Sequence, residues 1–172
     1  LPLQGSLDDA AKKAVNPQLM PRALLWFRWG AMITFLAGLV LFTQNYMYAP
    51  GAGFGPTALW GDSSGMTQRA WWILMGMTAG SIMWFNVWFI IWPAQKKLLG
   101  GKVTGDEAAA TRKTAAFASR INTFLSGPML FGMLGAPHLS NGGFAAMAGF
   151  IVVALGSIWC AYQLSSTDLP KS

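Results

Sequence analysis

Apolar positions in this chain fall in long blocks, with charges and most turn residues confined to the segments between them. The blocks predict four helices, at about residues 23–48, 70–92, 105–136 and 144–164, the apolar part of the third beginning near Ala115. A helix needs about 20 apolar residues to cross a hydrocarbon core of roughly 30 Å. Each block is long enough, and the polar sequence left over is too short to cover four such helices in water. The pattern therefore predicts an all-α membrane protein with four transmembrane helices. Residues 1–22 form a cytoplasmic or interfacial segment in this reading, 23–164 the helical domain and 165–172 a tail.

Local signals refine these elements. "SLDD" at 6–9 opens a short amphipathic segment, Leu7 to Val15, expected on the inner membrane surface. "TGDE" at 104–107 fits a capping box, with the Thr104 hydroxyl taking a backbone N–H and Glu107 reaching back. Pro128 removes one ladder bond and is expected to kink the third helix near Ser126–Gly127. The Gly/Pro-rich connection "APGAGFGPTALWGDSSGMTQ" is expected to order by folding back on its own aromatics or on a partner. "PHLSNGG" reads as a short turn that makes the third and fourth helices antiparallel neighbours.

Composition supports lipid as the solvent. The chain is 53% hydrophobic and only 10% charged, against about 25% charged in soluble domains. The net charge of +6 matters less than its placement. Of the 12 Lys and Arg, all but Arg69 lie near the start of the first helix, between the second and third helices, early in the third, or in the tail. The positive-inside rule then places both termini and the 93–114 connection in the cytoplasm, as in a multi-pass protein of a bacterial inner membrane. Residues 1–21 lack the apolar run of a signal peptide. No basic groove with interleaved polar residues appears, so nucleic acid is not expected as a partner. Cys160 is the single cysteine, which excludes an intrachain disulfide.

The stretch "MWFNVWFIIWPAQKK" at 83–97 carries the most information. Trp84, Trp88 and Trp92 recur every four residues and share one helix face. Trp92, followed at once by Pro93, Lys96 and Lys97, fits an interfacial belt, while Trp84 lies about 12 Å deeper. With Phe89, these rings form either a packing face against protein or lipid, or a wall against a quinone, pigment or haem. Asn86 and Asn122 fall at similar depth on antiparallel helices. A buried amide in lipid must find a hydrogen bond, so the pair is expected in one seam, bonded directly or through water. Gly76 and Gly80 form a G-x-x-x-G that permits close backbone approach. Arg28 and Arg120, several residues inside their helices, are expected to meet lipid phosphate, a partner's carboxylate or a haem propionate, and Lys96 and Lys97 serve as similar contacts.

Reactive groups are scarce. His138 is the only histidine, so a bis-histidine haem within the chain is excluded; His–Met ligation with Met133 is the remaining combination. Asp8, Asp9, Asp62, Asp106, Glu107 and Asp168 all fall outside the apolar blocks, which disfavours a proton-coupled transporter. No nucleophile–base constellation and no metal-ligand cluster is visible.

"GSIMWFNVWFIIWPAQKKLLGG" and "INTFLSGPMLFGML" together resemble the last part of the membrane domain of bacterial membrane-bound urate hydroxylases, over roughly residues 75–138. The resemblance rests on Gly80, Ile82, Met83, Asn86, Val87, Ile91, Pro93, Gln95 and Lys97, then on Asn122, Leu125, Pro128, Leu130, Phe131 and Met133. It implies a helical membrane domain fused, in that family, to a C-terminal cytochrome c. Where the family carries a histidine before the third-helix asparagine, this chain has Ile121. A second family histidine is met one position out of register by Pro137–His138, and no C-x-x-C-H haem attachment is present.

Two functional readings follow. The first is a non-catalytic accessory subunit of a larger respiratory, photosynthetic or oxidase-type membrane complex, with other membrane subunits and phospholipids as partners and no cofactor of its own. It docks through Trp84, Trp88, Phe89 and Trp92, and Trp88→Ala is expected to loosen assembly by several kcal/mol. The second is a redox module that binds haem, quinone or pigment through His138 or a partner's ligand.

Overall fold

A computed structural model describes residues 8–51, 53–55, 59–60, 65–139 and 143–167. Helix α1 spans Asp9–Tyr46 and starts on an Asp8 cap, whose carboxylate accepts the Ala11 N–H at 2.6 Å. The expected break between a surface segment and the first helix does not occur: residues 9–22 belong to α1, and Ser6 and Leu7 lie outside the described residues. Pro17 and Pro21 sit inside this helix. Their four-residue spacing puts both missing donors on one side of the helix, which continues through them.

A small hairpin follows, β1 (Tyr48–Ala49) paired antiparallel with β2 (Gly53–Phe54). Its reversal places Gly51 and Gly53 at φ +89° and +78°, a region that strongly favours glycine. Tyr48 and Phe54 touch across it at 5.2 Å, and Leu59 is buried. The described part of this connection thus folds back on the chain's own rings. The Thr67 hydroxyl donates to the Leu59 carbonyl and accepts the Ala70 N–H, tying the loop to the next helix and capping it at once.

Helix α2 spans Gln68–Leu99 and changes character midway. Gln68–Phe85 is α-helical, Asn86–Ile91 is a π-helix, and Trp92–Leu99 returns to α. The wide turn ends just before Pro93, which has no donor for the Phe89 carbonyl and whose ring would crowd it. Widening the preceding turn relieves that conflict. Helix α3 spans Gly105–His138 and runs through Pro128 without a break in its assignment. Its cap differs from the expected box: Thr104 holds the cap position but its side chain makes no capping bond. Helix α4 spans Gly143–Thr167. The turn before it falls partly outside the described residues, as do residues 168–172 of the tail.

Helix α3 is the centre of the packing, with α2 on one side and α4 on another, while α1 lies against α2. A Cβ on Gly132 would fall 2.5 Å from the Gly76 nitrogen, so the α2 and α3 backbones touch at that crossing. A Cβ on Gly127 would fall 2.9 Å from Ala154 of α4. One core cluster joins Tyr46, Leu59, Ala70, Trp72 and Ala136; a second joins Val87, Ile91 and Ala118.

Three of the four helices, α1, α2 and α4, are long and apolar enough to cross a membrane, and the chain is a membrane protein. Helix α3, expected as a fourth span, has the length at 34 residues but not the mean hydropathy. Its position accounts for that. A helix packed on two neighbours buries Ala, Gly, Asn and Pro rather than leucine, because small residues let backbones approach and a polar one can bond across the seam.

Candidate functional site

Between α1 and the α2–α3 pair lies a cleft of about 970 Å³. It exists because α1 touches α2 through a few large rings and stands away elsewhere. Phe35 stacks on Trp84 at 4.7 Å, and Trp29 meets Trp88 edge-on at 5.9 Å. At the far end Phe42 stacks on Tyr46 at 5.6 Å, and Tyr46 is buried against the N-terminal part of α2. Gly30 and Gly38 of α1, with Gly76 and Gly80 of α2, line the space between. A Cβ on Gly30 or Gly38 would meet nothing within 4 Å.

The tryptophan stripe faces this junction. Trp84, Trp88 and Trp92 are partly buried by α1 of the same chain, whereas Phe89 stays 58% exposed and stacks on exposed Phe85 at 4.8 Å. Arg28 joins the stripe: its guanidinium carbon lies 3.8 Å from the Trp92 ring centre and 5.2 Å from that of Trp88. Desolvated cation–π contacts of this kind are worth about 2 kcal/mol, so Arg28 clamps α1 to α2. Arg120 donates to the Tyr162 hydroxyl at 3.1 Å, joining α3 to α4. Lys96 and Lys97 are exposed.

Asn86 and Asn122, both buried, are brought together at the wall of the cleft. Asn86 Nδ2 donates to Asn122 Oδ1 at 2.8 Å, and Asn122 Nδ2 donates to the Met83 carbonyl at 3.1 Å. Asn122 thus holds the seam beside the π-helix from both of its polar atoms. Asn122→Leu is expected to cost about 1–2 kcal/mol and to lower the thermal midpoint in detergent by roughly 2–8 °C. Adding Asn86→Leu should recover part of that loss, because a lone buried amide is worse than none. Additive costs for the two substitutions would show that the pair is not coupled.

Gly76 sits at the α2–α3 crossing, while Gly80 makes only ordinary contact with Met129, its Cβ position 3.6 Å from the sulfur. His138 is exposed on the last residue of α3 and does not line the cleft, although its neighbour Pro137 does. The chain's sole histidine and this cavity are therefore separate, a poor fit for a haem held by the chain's own ligands. Among the described residues no group of three His, Cys, Asp or Glu could hold a metal ion.

Several features lay beyond the sequence reading: the cleft, the π-helix, the Arg28 clamp and the fully buried Trp72. A signal for the last was present. Gly132, Gly135 and Ala136 recur at i, i+3 and i+4, a small-residue stripe that marks where a large ring or another backbone must come close.

Comparison with curated proteins and with solved structures finds no match. A family model described as urate oxidase N-terminal matches residues 4–55 and 53–163, nearly the whole chain. The match covers the aromatic helix, the asparagine seam and all the walls of the cleft, and the chain belongs to the urate oxidase N-terminal family.

Proposed function

We propose that this chain is a non-catalytic accessory unit of a larger complex in a bacterial inner membrane. In this reading it crosses the bilayer four times, α3 included, with both termini and the α2–α3 turn in the cytoplasm. The observation that carries the reading is surface that the chain leaves uncovered. None of the most apolar window of α1 is buried, and 6% of that of α4. Lipid covers apolar surface of this kind, but aromatic pairs on it suit a protein partner. Phe85 and Phe89 form such an exposed pair beside the tryptophan stripe, with Phe89 against Trp84, so the docking face in this reading centres on these phenylalanines. The family's description as an N-terminal region supports a module that works beside another.

Purification in mild detergent tests this. The chain is expected to elute with a larger membrane protein, and the double substitution Phe85→Ala and Phe89→Ala to release it without changing helical content. A chain that is monodisperse and alone before any substitution would sink the subunit reading. The second reading, a redox module for haem, quinone or pigment, is favoured by the size of the cleft. An optical spectrum with a Soret band that disappears in His138→Ala would place it first.

A further inference from the structure

We infer that the cleft between α1 and the α2–α3 pair is a binding site for one anionic phospholipid. Its acyl chain runs along the groove and its phosphate rests on Arg69. The inference concerns a ligand of the chain itself and does not depend on which complex the chain serves.

The chemistry of the cleft is divided between its mouth and its walls. At the mouth stands Arg69, the one Lys or Arg at the end of α2 remote from Lys96 and Lys97. Its Nε donates to the Tyr46 hydroxyl at 3.4 Å, and its guanidinium lies over the Tyr46 ring at 4.7 Å. Tyr46 is buried, so the arginine is anchored by its Nε edge while the residue stays exposed. No carboxylate pairs with it among the described residues. A guanidinium held in this way presents its remaining N–H groups to a phosphate, the geometry in which arginine binds such anions best. Asn45 lines the same end.

Deeper in, three of the polar side chains spend donors on the chain, while Thr34, Ser81 and Ser119 add only small hydroxyls to the lining. Asn122 bonds Asn86 and Met83, the Thr123 hydroxyl donates to Ser119, and the Ser126 hydroxyl donates to Thr123. What these walls present is largely apolar, as an acyl chain requires and as a buried polar headgroup does not. From Arg69 to Trp84 the groove follows α2 for roughly 22 Å. That exceeds the roughly 15 Å depth of one leaflet's hydrocarbon, so a full acyl chain fits.

The test uses the whole chain in nanodiscs of equimolar phosphatidylglycerol and phosphatidylcholine, followed by native mass spectrometry of the released protein. The expected result is one retained lipid, with phosphatidylglycerol favoured about tenfold: both lipids offer a phosphate to Arg69, but the choline ammonium cancels the charge that phosphatidylglycerol keeps. Arg69→Gln should abolish the preference yet leave a lipid bound. Gly38→Leu should weaken retention of the lipid at least about tenfold, because a Cβ there projects into open space of the groove that the acyl chain would occupy. Thermal unfolding of both variants near the wild-type midpoint verifies that they fold. Retention of the two lipids in their bulk ratio would overturn the assignment, as would a preference indifferent to both substitutions. Recovery of a stoichiometric quinone or tetrapyrrole in place of phospholipid would overturn it in favour of a redox ligand.

Discussion

Trp72→Ala is expected to destabilise the chain by about 3–5 kcal/mol and to lower its thermal midpoint in detergent by roughly 10 °C. Trp72 is the largest side chain with no exposed surface. Its six-membered ring lies where a Cβ on Gly135 would stand, 2.5 Å away, and it meets Phe150 at 6.1 Å. One residue of α2 therefore fills the space between α3 and α4 and supports Tyr46 and the loop residue Leu59 in the same cluster. Truncation would leave a void on the α3 side, where Gly135 and Ala136 offer no long side chain to move into it. Trp72→Phe should cost far less, because the indole N–H has no partner among the described residues and most of the ring volume survives. Equal midpoints for the alanine and phenylalanine variants would show that the ring does not hold this cluster together.

The second large effect is expected at Gly132. A Cβ there would lie 2.5 Å from the Gly76 nitrogen, 2.6 Å from its Cα and 2.8 Å from the Trp72 carbonyl. All three are backbone atoms, so no rotamer change can make room and the helices must part. Gly132→Leu should cost about 3 kcal/mol or more, at the upper end of overpacking. Gly80→Ala serves as the control: its Cβ would meet only the flexible Met129 side chain at 3.6 Å and 3.8 Å. It should be neutral, or stabilising by about 0.5–1 kcal/mol through helix propensity. Thermal unfolding of the two variants side by side checks this, and a Gly80→Ala loss as large as that of Gly132→Leu would refute the assigned crossing.

These two residues also show where the sequence reading ended. The G-x-x-x-G of Gly76 and Gly80 was legible as a close-packing signal, but only Gly76 meets a facing backbone. Which glycine lies at a crossing depends on the angle between two helices, and that angle is a property of the pair. The asparagines are a contrasting case. Their equal depth on antiparallel helices follows from counting residues, and the cost of an unbonded buried amide leaves few arrangements other than a shared seam. The tryptophan spacing was equally visible, but that α1 of the same chain packs against part of the stripe was not.

Helix length, apolar composition and the placement of turns were settled by the chain itself, because hydrocarbon thickness and backbone hydrogen bonding act on each helix separately. The first 22 residues join α1 in part, and α2 widens ahead of Pro93, from local causes in the Asp8 cap and the proline. Tertiary structure decided the rest. It made the least apolar helix the central one and stood α1 away from its neighbours. Both depend on contacts between residues far apart in sequence, whose free energies do not exist until the helices have met. The groove whose mouth holds Arg69 is the clearest instance, since no single helix contains it.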